Sequence, residues 1–145
     1  MSRWAWAVGL GIVGVDQALK FWAVHSLSLG ESRPLLGQIL RITRVHNSGA
    51  AFGLFPTGTT AFLAVSVIVA AGLFLYLLLA KPTGLKLWGS TFILGGTLGN
   101  LIDRARLGHV VDLFSLGNFP VFNLADAALV VGVGLLALGI LRGSR

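Results

Sequence analysis

Asp112 in "HVVDLF" and Asp126 in "FNLAD" have no Lys or Arg between them, and the one titratable base beside them is His109. Two carboxyls held a few Å apart cannot both ionise; they share a proton, so one can act as general base while the other donates. Such a pair activates water for amide hydrolysis with neither a metal nor a covalent nucleophile. Other chemistries are less well served. His25, His46 and His109 lack the i, i+4 spacing of a helical zinc site. Ser48 or Ser115 could use His109 as a base, but neither sits in a G-x-S-x-G turn. The sequence has no Cys, which excludes thiolate ligands, disulfides and a cysteine nucleophile. No cofactor and no metal is expected.

These acids stand in a very apolar chain. Of 145 residues, 55% are hydrophobic and 11% charged, against about 25% charged in soluble domains. A mean hydropathy of +0.86 points to a multispanning membrane protein. A spanning helix needs about 20 apolar residues, and four segments qualify, at 4–24, 59–80, 87–104 and 123–141, in one integral-membrane domain over 1–145. The first follows Arg3, but Asp16 and Lys20 interrupt it and no small-residue cleavage site follows, so it reads as a retained anchor and not a secretory signal. The net charge of +6 comes from scattered Lys and Arg; without a basic stripe, anionic membrane lipids fit it better than nucleic acid.

Four spans put both termini on one face and the 25–58 and 103–122 connections on the other. All five acids lie in or beside that second face. Counting Lys and Arg alone leaves orientation undecided, five on the terminus side against six; the "KPTGLK" turn and the Arg-bearing tail favour cytoplasmic termini and an outward-facing site. Trp4, Trp6, Trp22 and Trp88 fit interfacial belts. "LGQILRITRVHN" is β-branched and alternating, predicting a strand or short hairpin on the membrane surface that delivers Asn47. "SGAAFGLF" follows, small enough for close backbone approach.

The 15 uncharged residues between Asp126 and Arg142 span only about 22 Å as a helix, so Asp126 is expected below the membrane surface. Asn100, Asp103 and Arg104 share a helix face, and Asp16 and Lys20 form an i, i+4 pair. Each has a plainer reading: interfacial ion pairs for Asp16 with Lys20 and for Asp103 with Arg104 or Arg106, and a helix cap for Asn123 with Asp126. Two non-hydrolytic alternatives also stand, a small proton-coupled transporter and a purely structural subunit.

"DQALK" at 16–20, "HNSGAAFGLF" at 46–55, "GNLIDRARLGHVVDLF" at 99–114 and "FPVFNLADAALVVG" at 119–132 occur in the order found in lipoprotein signal peptidases. The chain resembles that family, bacterial membrane aspartic proteases also called signal peptidase II, over nearly its whole length. The resemblance implies four transmembrane helices with a small amphipathic β-cradle on the outer surface, and a catalytic dyad at Asp112 and Asp126. It implies support of site and substrate by Asn47, Asn100, Asp103, Arg104 and Asn123, and a structural role for Asp16 and Lys20. The implied substrate is a prolipoprotein carrying diacylglycerol, cut just before its lipidated cysteine, with globomycin as the typical inhibitor. A monomer in the bacterial cytoplasmic membrane is expected.

Overall fold

The computed structural model describes residues 3–49 and 58–143. Its elements run α1 (Arg3–Ser26), β1 (Ser32–Leu36), β2 (Leu40–Asn47), α2 (Gly58–Leu79), α3 (Gly84–Leu107), β3 (Val110–Leu116) and α4 (Leu124–Gly143). Three helices, α1, α2 and α4, are long and apolar enough to cross a membrane. At 24 residues α3 has the length but less apolar character, and its position explains why. It is the central helix, with α1, α2 and α4 packed on it, so its side chains meet other helices where theirs meet lipid. Gly89, Ser90, Thr91, Gly95, Gly96, Thr97, Gly99, Asn100 and Asp103 are all buried there.

Small residues let the neighbours come close. A Cβ on Gly89 would fall 2.5 Å from the Leu136 backbone nitrogen, and one on Gly132 would fall 2.8 Å from the Gly89 carbonyl oxygen, so α3 and α4 touch backbone to backbone. Between α1 and α2 lies an apolar cavity of about 520 Å³ lined by Trp6, Leu10, Phe74, Leu77 and Leu94 among others.

The predicted surface strand is a hairpin, β1 with β2. The 103–122 segment, expected only as a connection, adds a third strand that the sequence did not announce. All three are antiparallel, with β2 in the middle. Val110, Val111, Asp112 and Leu113 are buried in succession, so β3 lacks the alternation by which a half-buried strand is recognised. Between Ile42 and Val45 the β2–β3 register slips, bringing Val45 opposite Asp112 and Asn47 opposite Val110. Such a bulge re-aims side chains. The sheet rests on the end of α1 through Ile42 and Leu113 against Ala23 and Leu27, with Leu19 packed alongside.

Candidate active site

Asp112 comes from β3 and Asp126 from the first turn of α4, and Asn123 joins them. The Asn123 side chain donates from Nδ2 to Asp112 Oδ1 at 2.8 Å, while its backbone N–H donates to Asp126 Oδ2 at 3.2 Å. In return Asn123 Oδ1 accepts the Asp126 N–H at 2.8 Å. This is a reciprocal helix cap with Asp in the place where Glu or Gln is usual. The plain reading of Asn123 and Asp126 as a cap and the reading of them as site residues therefore describe the same bonds. The remaining oxygens also accept from amides, Asp112 Oδ2 from Asn47 Nδ2 at 3.1 Å and Asp126 Oδ1 from Asn100 Nδ2 at 2.7 Å.

Asp112 is buried and Asp126 half-buried. Burial pushes the Asp112 carboxyl up to about 6, and the charge of Asp126 adds to the rise; hydrogen bonds from Asn47 and Asn123 and the charge of Lys20 work the other way. Desolvation winning over hydrogen bonding is what favours a retained proton on a carboxyl.

Behind the pair lies a second layer. Lys20 Nζ sits 2.8 Å from Asp16 Oδ2 and 2.9 Å from Asp103 Oδ2, and donates to Asn100 Oδ1 at 3.0 Å. Asn100 thus takes a proton donor from the ammonium on one side and presents its own to Asp126 on the other. Asp16 Oδ1 accepts the Ala125 N–H at 2.9 Å, holding the start of α4. Asp103 Oδ2 accepts the Val111 N–H at 3.0 Å, holding β3. Asp103 pairs with Lys20, and no ion pair joins it to Arg104 or Arg106 among the described residues. Gln17, not singled out from the sequence, donates from Nε2 to Asp103 Oδ1 at 2.9 Å; its place inside "DQALK" was the available signal.

One continuous network therefore contains Asp16, Lys20, Asn47, Asn100, Asp103, Asp112, Asn123 and Asp126. Arg104 stands apart from it. Its guanidinium faces α2, with Cζ 5.5 Å from the centre of the Phe62 ring and Nη1 3.5 Å from Ser66 Oγ. Beside Asp126 an apolar groove of about 510 Å³ runs along α4, lined by Phe119, Phe122, Val130 and Val131 among others. Of "HNSGAAFGLF", residues 50–55 lie outside the described residues.

A family model described as signal peptidase (SPase) II matches residues 8–142. The chain belongs to the signal peptidase II family. It is 39% identical over 140 residues to the lipoprotein signal peptidase of Brevibacillus brevis, covering 94% of each chain. To that of Syntrophomonas wolfei it is 42% identical over 141 residues, covering 97% of this chain and 95% of the relative. Two solved structures of a bacterial membrane enzyme superpose with TM-scores of 0.88 and 0.89 at 27% and 28% identity, covering 97% and 95% of this chain and 89% and 92% of theirs. As a signal peptidase II the protein is an aspartic-type peptidase and a multi-pass bacterial membrane protein.

Proposed function

We propose that Asp112 and Asp126 are the catalytic dyad of a peptidase that removes the signal peptide from diacylglyceryl-modified prolipoproteins, cutting just before the lipidated cysteine. The observation that carries this reading is the suspension of both carboxyls from Asn123. Asp112, the more desolvated, holds the shared proton. Asp126 takes a proton from the attacking water, Asp112 gives its own to the carbonyl oxygen, and collapse of the tetrahedral intermediate returns a proton to the leaving amine. Asn47, Asn100 and Asn123 orient the carboxyls. Arg104, turned toward α2, is free of the acid network and is assigned to the substrate backbone.

All of 1–145 forms one peptidase domain in this reading, with α3 as the fourth span inside a sleeve of the other three. The dyad end faces outward, the sheet lies on the outer surface, and the termini are cytoplasmic. If an impermeant thiol reagent reached Cys placed at 83 and 142 from outside while sparing 33 and 117, that orientation would be reversed.

Diacylglycerol dependence has a physical cause. A dyad below the membrane surface meets a peptide bond only if something holds that bond at its depth, and each buried CH₂ contributes about 0.8 kcal/mol to such anchoring. The groove beside Asp126 offers apolar surface along α4 for a membrane-embedded part of the substrate. The test compares one prolipoprotein peptide with and without its diacylglyceryl group, in detergent and in liposomes. The lipidated peptide is cleaved much faster, globomycin raises the melting temperature, and chelators leave the rate unchanged. Equal rates for the two peptides in both settings would overturn depth as the selector.

A further inference from the structure

Arg44 and His46 lie in β2 and His109 just before β3, outside the network around the dyad. Arg44 Nη1 donates to the carbonyls of Val24 and Leu27 at 3.1 and 2.9 Å, at the end of α1. Its Nη2 stands 3.3 Å from His46 Nε2. A guanidinium has donors and no acceptor, so this contact is a hydrogen bond only when His46 Nε2 is bare and the ring is neutral. The other face of the contact is the His109 ring, stacked on His46 with centroids 3.8 Å apart and planes at 25°. His109 leads directly into β3 and His46 pairs in register with Val111, so the three side chains join the end of α1, strand β2 and the entry to β3.

We propose that His46, accepting from Arg44 through a bare Nε2 and stacked on His109, is a positioning residue that holds Asn47 against Asp112 and releases it on protonation. Asn47 is the next residue along, the last of β2, and its Nδ2 is the donor to Asp112 Oδ2. A proton on His46 Nε2 would face the Arg44 N–H groups donor to donor, placing a second positive charge beside the first and against a ring that can also become charged. The contact opens, the end of β2 loses its tie to α1, and the Asn47 amide leaves the carboxyl it orients.

Several groups face His46. Partial burial most of all, then His109 from the segment entering β3 and Arg44 from its own strand, disfavour its charged form and keep its pKa below the usual imidazole value. Asp112, two residues from the Asn47 partner Val110 on β3, carries its hydrogen bonds to Asn47 and Asn123. No carboxylate pairs with His46 among the described residues.

This inference rests on the dyad reading, and its test separates the two. In the full-length detergent-solubilised protein, kcat for the lipidated peptide is followed from about pH 5 to pH 8, where an imidazole of ordinary or lowered pKa titrates. His46→Gln keeps an acceptor for Arg44 and does not titrate. It should match wild type within about twofold at pH 7.5 and run about fivefold faster than wild type at pH 5.5, where the wild-type histidine has taken up its proton. His46→Ala should be slower throughout. Histidine ¹⁵N NMR of the wild-type protein needs no variant: the Nδ1–H tautomer is expected at pH 7.5, with a protonation midpoint at the pH where the wild-type and His46→Gln profiles part. An Nε2–H tautomer, a midpoint away from that pH, or the same kcat profile in His46→Gln as in wild type overturns the proposal. An unchanged rate in Asp112→Asn would instead overturn the dyad.

Discussion

At the end of the bundle that holds Asp112 and Asp126, α1, α3 and α4 meet through side-chain hydrogen bonds: Lys20 to Asp103 and Asn100, Asp16 to the Ala125 N–H, Asn100 to Asp126. Toward the other end α3 meets α4 through Gly89 and Gly132, with nothing between their backbones, and α1 and α2 flank an apolar cavity. Both ends are closely packed along α3, yet only one is directional. Glycine contacts set how near two helices lie and leave rotation and sliding to be fixed elsewhere. Hydrogen bonds of defined donor and acceptor fix an oxygen to within tenths of an ångström, which acid–base catalysis needs and membrane packing does not.

If that division is right, the largest effect comes from the smallest chemical change. Asp112→Asn and Asp126→Asn should each lower kcat about a thousandfold, within the range of lost acid–base catalysis, while the proteins still insert. Stability should report the burial of Asp112 separately. Its folded pKa is raised from 3.8 to about 6, so its contribution to stability is complete below 3.8 and is lost as pH climbs through 6. The melting temperature of Asp112→Asn relative to wild type should therefore rise between pH 4 and pH 7.5. A difference that stays flat would mean that Asp112 is ionised in the folded protein without penalty.

Next in size is Lys20→Met, which strips the shared cation from two buried carboxylates and should cost about 3–5 kcal/mol, read by denaturant titration in detergent. Asp16→Asn should follow it in kind, losing stability more than turnover. Either variant losing turnover with full stability would move these residues from scaffold to chemistry. Gly89→Ala, forcing a methyl onto the Leu136 backbone, should cost about 1–3 kcal/mol and leave the pH profile of the surviving enzyme unchanged. The smallest effect is expected from Thr91→Val. Thr91 is buried in the same region, but its hydroxyl only returns to Leu87 O at 2.9 Å, so the change should fall at the low end of the net value of a hydrogen bond, about 0.5–1.5 kcal/mol. A loss comparable with Lys20→Met would show that the glycine-packed region is held by directional bonds after all.

Apolar runs and end charges made the helices legible, since length and hydropathy are read one segment at a time. Strand β2 was legible from the alternation of residues 36–47, whereas β1 lies almost wholly outside that stretch. What stayed hidden required knowing which segments meet. Lys20 was visible as a partner of Asp16 four residues away, but its bonds to Asn100 and Asp103 cross some eighty residues of sequence. Strand β3 was hidden because both of its faces are covered around Asp112. The contact of Asn47 with Asp112 depends on the slip in register at the bulge, which leaves no mark in composition. Asn123 and Asp126 were legible in spacing alone, because a helix cap is local.

The ion pair of Lys20 and Asp16 lies within one helix, and that bears on how the protein is assembled. A segment entering the bilayer with a lone ammonium would be strongly disfavoured, by about 2.5–3.5 kcal/mol at the centre of the membrane. Because α1 carries its own counter-charge one turn away at 2.8 Å, it can enter with the pair already made, before any other helix is present. Arrival of α3 then adds Asp103 and Asn100 to a lysine that is already in place, and arrival of α4 presents the Ala125 N–H to an aspartate with an oxygen to spare. In the finished fold the α1 pair is thus the part of the network that needs no other helix, and the contacts of α3 and α4 are additions to it.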